Sequence, residues 1–207
     1  MKKYFLSIIL CSFYLVTNAQ NDFLEPATGF FSSYYHQDEY YPRVKKILYD
    51  SLKYNPNARI IVMPSFSEEY LVSIDTKNRE TYLTYRIAKN QIWSNKTKEN
   101  IECTEYKMKI DYSIAKILHN LIFTATSKAK YPDQPIPKLD GTTYIFIAFE
   151  TGYGFRSGMT WSPGSGKLHE LTEIVDWLVD CAKKGELISQ DKMQKKINDL
   201  IERFKIE

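Results

Sequence analysis

The spacing of apolar residues changes abruptly near Asp111, and this change limits the folds open to the chain. Before it, apolar and charged side chains alternate from Ile101 to Tyr112, as in a strand with one exposed face. After it, apolar residues recur every three or four positions, as on one face of a helix: Ile114, Ile117, Leu118, Leu121, Ile122 and Ala125. A half-exposed strand followed directly by an amphipathic helix favours an α+β domain.

Apolar runs elsewhere predict further strands and helices. A helix is expected from Pro42, with an end near Asn55–Pro56. Other strands are expected at 59–63, 70–74, 81–87, 142–149 and 155–161. Two more helices, around 168–182 and 193–204, finish the chain. Short links between consecutive strands favour antiparallel pairing. We therefore predict an α+β fold, with a mainly antiparallel sheet of about five or six strands packed against helices, two of them C-terminal.

Residues 1–19 have the features of a signal peptide. Two lysines precede an apolar run of about 13 residues, fewer than the roughly 20 that a permanent membrane span needs. The small residues Thr17 and Ala19 then stand where signal peptidase recognises its substrate, so cleavage would leave Gln20 at the N-terminus. An uncleaved anchor is the alternative. We expect no permanent membrane span after cleavage.

The leader resembles the signal peptides of Gram-negative bacteria, which implies export to the periplasm, the outer surface or the medium. Beyond it, residues 20–41 are rich in aromatic side chains and show no periodicity. We expect this segment to pack on the domain, because so many aromatic rings are rarely left in water. Residues 42–207 are expected to form a single α+β domain.

The charge balance excludes some classes of partner. Two of the 28 basic residues lie in the leader, which leaves 26 against 25 acidic residues. The two signs are also well mixed along the chain. A nucleic-acid-binding protein carries a clear basic excess or patch, so we expect no nucleic-acid partner.

The chain beyond the leader holds two cysteines, Cys103 and Cys181. In an oxidising compartment they can form one disulfide, which here would join a strand to a late helix. The alternative is two buried free thiols that pack as small apolar residues. No histidine stands at ligand spacing from them, so they do not indicate a zinc site.

Glycine-rich stretches do not match nucleotide-binding motifs. Gly152–Ser157 has serine where a dinucleotide motif needs its third glycine, and Gly166–Lys167 is not followed by the Ser or Thr of a P-loop. The stretch 162–167 leads into a helix, so its N–H groups and Lys167 could hold a small anion. A plain turn is the alternative. We expect no cofactor and no metal site.

Three glutamates and one histidine are the candidates for acid–base chemistry. Glu68 and Glu69 follow a predicted strand, Glu150 ends another, and His119 lies at the edge of the apolar stripe of the central helix. Carboxylates at strand ends can take part in proton transfer during hydrolysis. The alternatives are a polar turn for Glu68–Glu69 and a half-buried structural histidine for His119.

Aromatic residues, 14% of the chain, indicate a recognition surface. We predict that surface on the last hairpin and the turn after it, with Tyr153, Arg156, Trp161 and Lys167 as its binding residues. The alternative is that tyrosines simply fill strands.

Two functions are therefore expected from the sequence. The first is a non-catalytic binding or interaction module of the cell envelope, whose partner is a protein or a cell-envelope ligand. The second is a small hydrolase that uses a carboxylate and His119. A purely structural envelope component is a further alternative.

Overall fold

The structure, a computed structural model, describes residues 22–27, 40–50, 52, 54–95, 101–133 and 140–206. The predicted signal peptide and most of the segment 20–41 lie outside these residues. The strands are β1 (Glu25–Pro26), β2 (Ala58–Pro64), β3 (Tyr70–Lys77), β4 (Glu80–Ala88), β5 (Cys103–Ile110), β6 (Thr142–Glu150) and β7 (Gly154–Trp161). The helices are α1 (Tyr40–Leu48), α2 (Tyr112–Ser127), α3 (Gly166–Lys184) and α4 (Gln190–Lys205).

All seven strands form one sheet in the order β1-β7-β6-β2-β3-β4-β5. Every neighbouring pair is antiparallel. The predicted α+β fold is confirmed, with two helices at the C-terminus. The sheet has slightly more strands than expected, because Glu25 and Pro26 pair with β7.

The two faces of the sheet are covered differently. Helices α2, α3 and α4 bury one face, which forms the larger core together with residues such as Ile60, Val72 and Phe146. Helix α1 covers part of the other face through Val44 and Leu48. We call this second face the α1 face. Because side chains alternate along a strand, odd-numbered residues of β2 and β6 lie on the α1 face.

The pairing of β2 with β6 decides which loops lie near each other. Ala58 pairs with Ala148, and Pro64 pairs with Thr142. The end of β6 at Glu150 therefore lies beside the start of β2. The loop from β2 to β3 lies at the opposite end of the sheet.

Helix α1 differs from its predicted limits. It begins at Tyr40, inside the segment expected to be irregular, and ends at Leu48, well before Asn55. Its end is held by Arg86 of β4, which donates a hydrogen bond to the carbonyl of Asp50 and another of 3.5 Å to that of Ile47. The positive charge also interacts favourably with the negative end of the helix dipole.

The described part of the N-terminal segment packs closely on the domain. Leu24 is fully buried in the larger core, and its carbonyl accepts a 3.0 Å hydrogen bond from the Lys130 N–H. None of the helices in the described ranges is both long and apolar enough to cross a membrane.

Candidate functional site

A cavity of about 480 Å³ opens on the α1 face, between the end of α1 and strands β2, β6 and β7. Its volume lies within the range of about 300–1,000 Å³ that is usual for small-molecule sites. We call it the Arg59 cavity. Its lining residues are Lys45, Tyr49, Leu52, Tyr54, Pro56, Arg59, Ile147, Phe155 and Ser157.

Arg59 is a charged residue in the most buried strand of the sheet, and only 2% of its surface is exposed. Its Nε donates a 3.1 Å hydrogen bond to Ser73 Oγ, and its Nη2 lies 3.6 Å from Asp75 Oδ1. The Ser73 hydroxyl in turn donates a 2.7 Å hydrogen bond to Asp75 Oδ2. Register explains this arrangement, because Arg59 and Ser73 are directly paired across β2 and β3. A buried charge needs such partners.

Tyr49 lies just past α1 and covers the guanidinium. The Arg59 guanidinium carbon is 4.5 Å from the centre of the Tyr49 ring, which is a cation–π arrangement. The Tyr49 hydroxyl oxygen is buried close to the Arg59 side chain. Burial raises the pKa of Tyr49 to about 12, against an opposing effect of the Arg59 charge.

Aromatic rings stand at the mouth of the cavity. Tyr54 is 78% exposed and Phe155 is 41% exposed, and their rings meet edge to face at 5.6 Å. Phe149 supports Phe155 from behind at 5.1 Å. Exposed large apolar groups that flank a concave site are typical of ligand binding.

Two lining residues of the Arg59 cavity, Lys45 and Arg59, are cationic, and none of its described lining residues is acidic. Asp75 forms an ion pair with Arg59 and so offsets part of its charge. Asp75 is not among the described lining residues of the cavity. In a partly desolvated site such charges interact more strongly with a ligand than they do in water.

The structure brings two of the predicted catalytic candidates together. Glu150 Oε2 lies 3.5 Å from His119 Nε2, and the same nitrogen donates a 3.1 Å hydrogen bond to the carbonyl of Phe149. The His119 ring also stacks on Phe123 at 5.8 Å. This pair lies where α2 crosses the end of β6, on the face of the sheet opposite the Arg59 cavity.

The other two candidates lie at the far end of the sheet. Glu68 is exposed, while Glu69 is completely buried. The Glu69 carboxylate accepts hydrogen bonds from Tyr40 Oη at 2.8 Å and from the N–H groups of Ile92 and Trp93 at 2.6 and 2.9 Å. Glu69 therefore joins α1 to the loop after β4, and it does not share a site with His119.

The four predicted binding residues do not form one surface. Tyr153 is 69% exposed in the turn before β7, whereas Trp161 is half-buried at the other end of that strand. At about 3.3 Å per residue, the two lie roughly 25 Å apart. Arg156 is exposed on the face opposite Phe155, and Lys167 is buried. The same hairpin instead contributes Phe155 and Ser157 to the Arg59 cavity.

The start of α3, which could have held a small anion, is occupied by the chain itself. Asp22 Oδ1 accepts a 2.8 Å hydrogen bond from the Lys167 N–H, and Oδ2 lies 3.8 Å from Lys167 Nζ. Gly166 has a φ of +75°, and a Cβ there would lie 2.7 Å from Asp22 Oδ1. The helix N-terminus thus binds an internal carboxylate.

The disulfide that Cys103 and Cys181 could form is not present. Both thiols are free and lie on opposite faces of the sheet. Cys103 donates a 3.4 Å hydrogen bond to the Ile47 carbonyl beside α1, while Cys181 is buried in the core and accepts one from the Ile188 N–H. Burial raises the pKa of both thiols. Cys181 is a buried free thiol, as in the alternative, whereas Cys103 is only half-buried.

The sequence analysis did not identify Arg59 as a candidate site residue, although its position in the sequence is unusual. The run from Ala58 to Pro64 is apolar except for this arginine. A single charge inside an otherwise buried strand indicates either an internal ion pair or a site. Here the structure shows an ion pair beside a cavity.

The described residues contain no group of three or more His, Cys, Asp or Glu side chains placed to hold a metal ion. Comparison of the chain with protein-family models, with characterised proteins and with solved structures found no match.

Proposed function

We propose that this chain is an exported, non-catalytic binding module that holds a small ligand in the Arg59 cavity. Export rests on the leader at residues 1–19. The observation that carries the binding role is a buried arginine in the wall of a cavity large enough for a small molecule. A cell-envelope ligand remains the partner that we propose.

Three further features support a binding role at this place. The cavity lies on the part of the sheet that α1 leaves uncovered, so a ligand could enter without displacing the larger core. Its mouth presents exposed rings, which bind ligands at low cost in side-chain entropy. Its floor is rigid, because Arg59 is tied to Ser73 and Asp75.

A cavity-filling pair of variants tests the proposal. Ser157→Phe places a ring inside the cavity, while Arg156→Phe places the same ring on the opposite face of the same strand. The probe is anilinonaphthalene sulfonate, an aromatic dye whose fluorescence rises on binding. We expect Ser157→Phe to weaken its binding at least about tenfold and Arg156→Phe to leave it unchanged. Equal binding by both variants would refute the proposal.

Hydrolysis is the second candidate, and one observation favours it. Glu150 and the Phe149 carbonyl both lie beside His119 Nε2. They can hold the imidazole with a proton on that nitrogen, which leaves Nδ1 to accept a proton from water. A hydrolase of this kind would act on the helix-covered side of the sheet and would not need the Arg59 cavity.

Turnover of nitrophenyl acetate tests this second candidate. If His119 is the base, His119→Gln and Glu150→Gln should each lower the rate by at least about a hundredfold. His169→Gln is the matched control, because His169 also lies beside a glutamate, with Nε2 3.9 Å from Glu173. Equal rates in all three variants would exclude hydrolysis by this pair.

A further inference from the structure

We propose that this chain forms a symmetric dimer through strand β5, in which two copies pair antiparallel with Tyr106 on the two-fold axis. A strand at the edge of a sheet can accept another strand along its free side. Within the described residues, β5 pairs only with β4. At the other edge of the sheet, part of β7 is already paired with β1. The inference concerns assembly and does not depend on the Arg59 cavity.

The hydrogen-bond pattern between β4 and β5 decides which backbone groups of β5 face outwards. The Lys89 N–H donates a 2.8 Å hydrogen bond to the Glu102 carbonyl, and these two residues continue the register of β4 and β5. In an antiparallel pair, hydrogen-bonded and non-hydrogen-bonded positions alternate. Even-numbered residues of β5 therefore direct their N–H and C=O groups towards β4. Those of the odd-numbered residues, among them Glu105 and Lys107, point away from the sheet.

The outward groups limit how two copies of β5 can pair. Only outward-facing residues can exchange hydrogen bonds, so odd-numbered residues must lie opposite odd-numbered residues. One register of this kind is centred on Tyr106 and uses nearly the whole strand. It places Glu105 opposite the partner's Lys107, and Cys103 opposite the partner's Lys109. Four such pairs, each with two hydrogen bonds, would give about eight hydrogen bonds between the copies.

Charge favours this register over its neighbours. A centre at Lys107 would place two ammonium groups opposite each other, and a centre at Glu105 would do the same with two carboxylates. Like charges directly opposite each other destabilise a strand pair, whereas opposite charges stabilise it. With Tyr106 at the centre, Glu105 lies opposite the partner's Lys107 on both sides of the axis. Such an interface is isologous, as in most symmetric dimers.

The existing contacts of the two charged side chains are compatible with this dimer. Glu105 lies opposite Arg86 of β4, with 3.7 Å between Glu105 Oε2 and Arg86 Nε. Lys107 Nζ lies 4.6 Å from the centre of the Tyr82 ring. Glu105 and Lys107 are nevertheless both exposed, so a partner strand can reach them. In the dimer, Glu105 would lie between two cations on one face of the joined sheet.

Tyr106 supplies an aromatic contact on the other face. Its side chain is exposed at the edge, and its ring stacks on Tyr85 with the ring centres 5.7 Å apart. On the axis, the two Tyr106 residues would form a non-hydrogen-bonded pair, the position at which side chains come closest across strands. Aromatic pairs across strands stabilise a sheet. Dimerisation would therefore cover part of an exposed ring.

Sedimentation velocity of the purified protein over a range of concentrations tests the dimer. We expect a monomer–dimer equilibrium. Lys107→Glu should raise the dissociation constant at least about tenfold, because it places a carboxylate opposite Glu105. Lys109→Glu is the matched control, since it makes the same charge change on the same strand but opposite Cys103, and it should stay within about threefold of wild type. A wild-type protein that is monomeric up to about 1 mM would overturn the inference, as would equal effects of the two variants.

A mixture of two charge variants tests the register. Glu105→Lys should weaken the dimer as Lys107→Glu does, because it places a cation opposite Lys107. When the two variants are mixed, every residue at position 105 again lies opposite a residue of the other sign. We expect a heterodimer whose dissociation constant is within about threefold of that of the wild-type dimer. A mixture that associates no better than either variant alone would overturn the pairing of Glu105 with Lys107.

Hydrogen exchange of the wild-type protein gives a readout that needs no variant. The outward amides of Glu105 and Lys107 should be protected from exchange at high protein concentration and should lose that protection on dilution. The amides of Tyr106 and Met108, which point towards β4, should be protected at both concentrations. A dimer in which the Glu105 and Lys107 amides exchange freely would use another surface, and the inference would fail.

Discussion

The Arg59 guanidinium carbon lies 4.5 Å from the centre of the Tyr49 ring, and this contact joins the sheet to the chain that follows α1. One partner belongs to β2 and the other lies just past the helix. The contact therefore fixes the distance between the floor and one wall of the Arg59 cavity. The contribution of the buried Arg59 charge and of the Tyr49 ring to the free energy of unfolding can be measured with single variants.

Removing the cation should destabilise the fold more than removing the whole ion pair. Arg59→Met leaves the Asp75 carboxylate, 12% exposed, without its cation, and we expect a loss of about 3 kcal/mol. The double variant Arg59→Met/Asp75→Asn removes the charge and keeps an acceptor for the Ser73 hydroxyl. Urea unfolding should show that the double variant regains at least about 1 kcal/mol. A double variant less stable than Arg59→Met would contradict this view of the pair.

Alkaline pH should destabilise the protein in a way that depends on Tyr49. The pKa of this phenol is about 12 in the folded chain and near the ordinary value of 10.0 when unfolded, because burial disfavours the phenolate. The group therefore contributes full stability below pH 10, which is lost as the pH rises towards 12. Below about pH 10 the difference in unfolding free energy between Tyr49→Phe and wild type should stay constant. At about pH 11 that difference should have moved in favour of the variant by about 1 kcal/mol. If the unfolding free energies of wild type and Tyr49→Phe change with pH in parallel, Tyr49 is not the source of the alkaline destabilisation.

Glu69 should matter for stability, and its exposed neighbour should not. Glu69→Gln removes the negative charge and places an amide NH₂ group, itself a donor, beside backbone N–H donors. We expect the free energy of unfolding to fall by about 2–3 kcal/mol. Glu68→Gln is the matched control, since it changes an exposed carboxylate and should stay within about 0.5 kcal/mol of wild type. Chemical denaturation of both variants provides the comparison. Equal effects would mean that the three hydrogen bonds to Glu69 contribute little.

Two glycines with the same φ of +75° separate backbone strain from crowding. Gly185→Ala introduces a Cβ with no atom within 4 Å, so it should cost about 1 kcal/mol from conformation alone. Gly166→Ala should cost more, because the new Cβ displaces Asp22. In an Asp22→Ala background the two substitutions should cost the same amount. A difference that persists there would disprove the capping role of Asp22.

The fold was largely predictable because its long elements carry clear periodicity. The alternation in β5 and the apolar stripe of α2 both fall where the pattern placed them. Strand β1 was missed, since two residues cannot show a period and one of them is Pro26. The end of α1 was also missed, because Leu52 continues the helical spacing. The group that holds the end of the helix, Arg86, lies in a strand much later in the sequence.

The site was less predictable because it depends on long-range pairing. The residues of β6 carry no sequence pattern that identifies β2 as their partner. This pairing places Glu150 far from Glu69 and near His119. The Arg59 cavity likewise combines residues from α1, β2 and the β6–β7 hairpin. Only the isolated charge in β2 was visible in the sequence itself.

Amide NMR of the purified protein, titrated with anilinonaphthalene sulfonate, shows directly which face of the sheet holds the ligand. Binding in the Arg59 cavity predicts the largest shift changes at Arg59, Ile147 and Ser157, on the α1 face. The signals of His119 and Glu150, on the opposite face, should stay in place. If the largest changes occur at His119 and Glu150 and the cavity residues do not respond, the cavity is not the binding site.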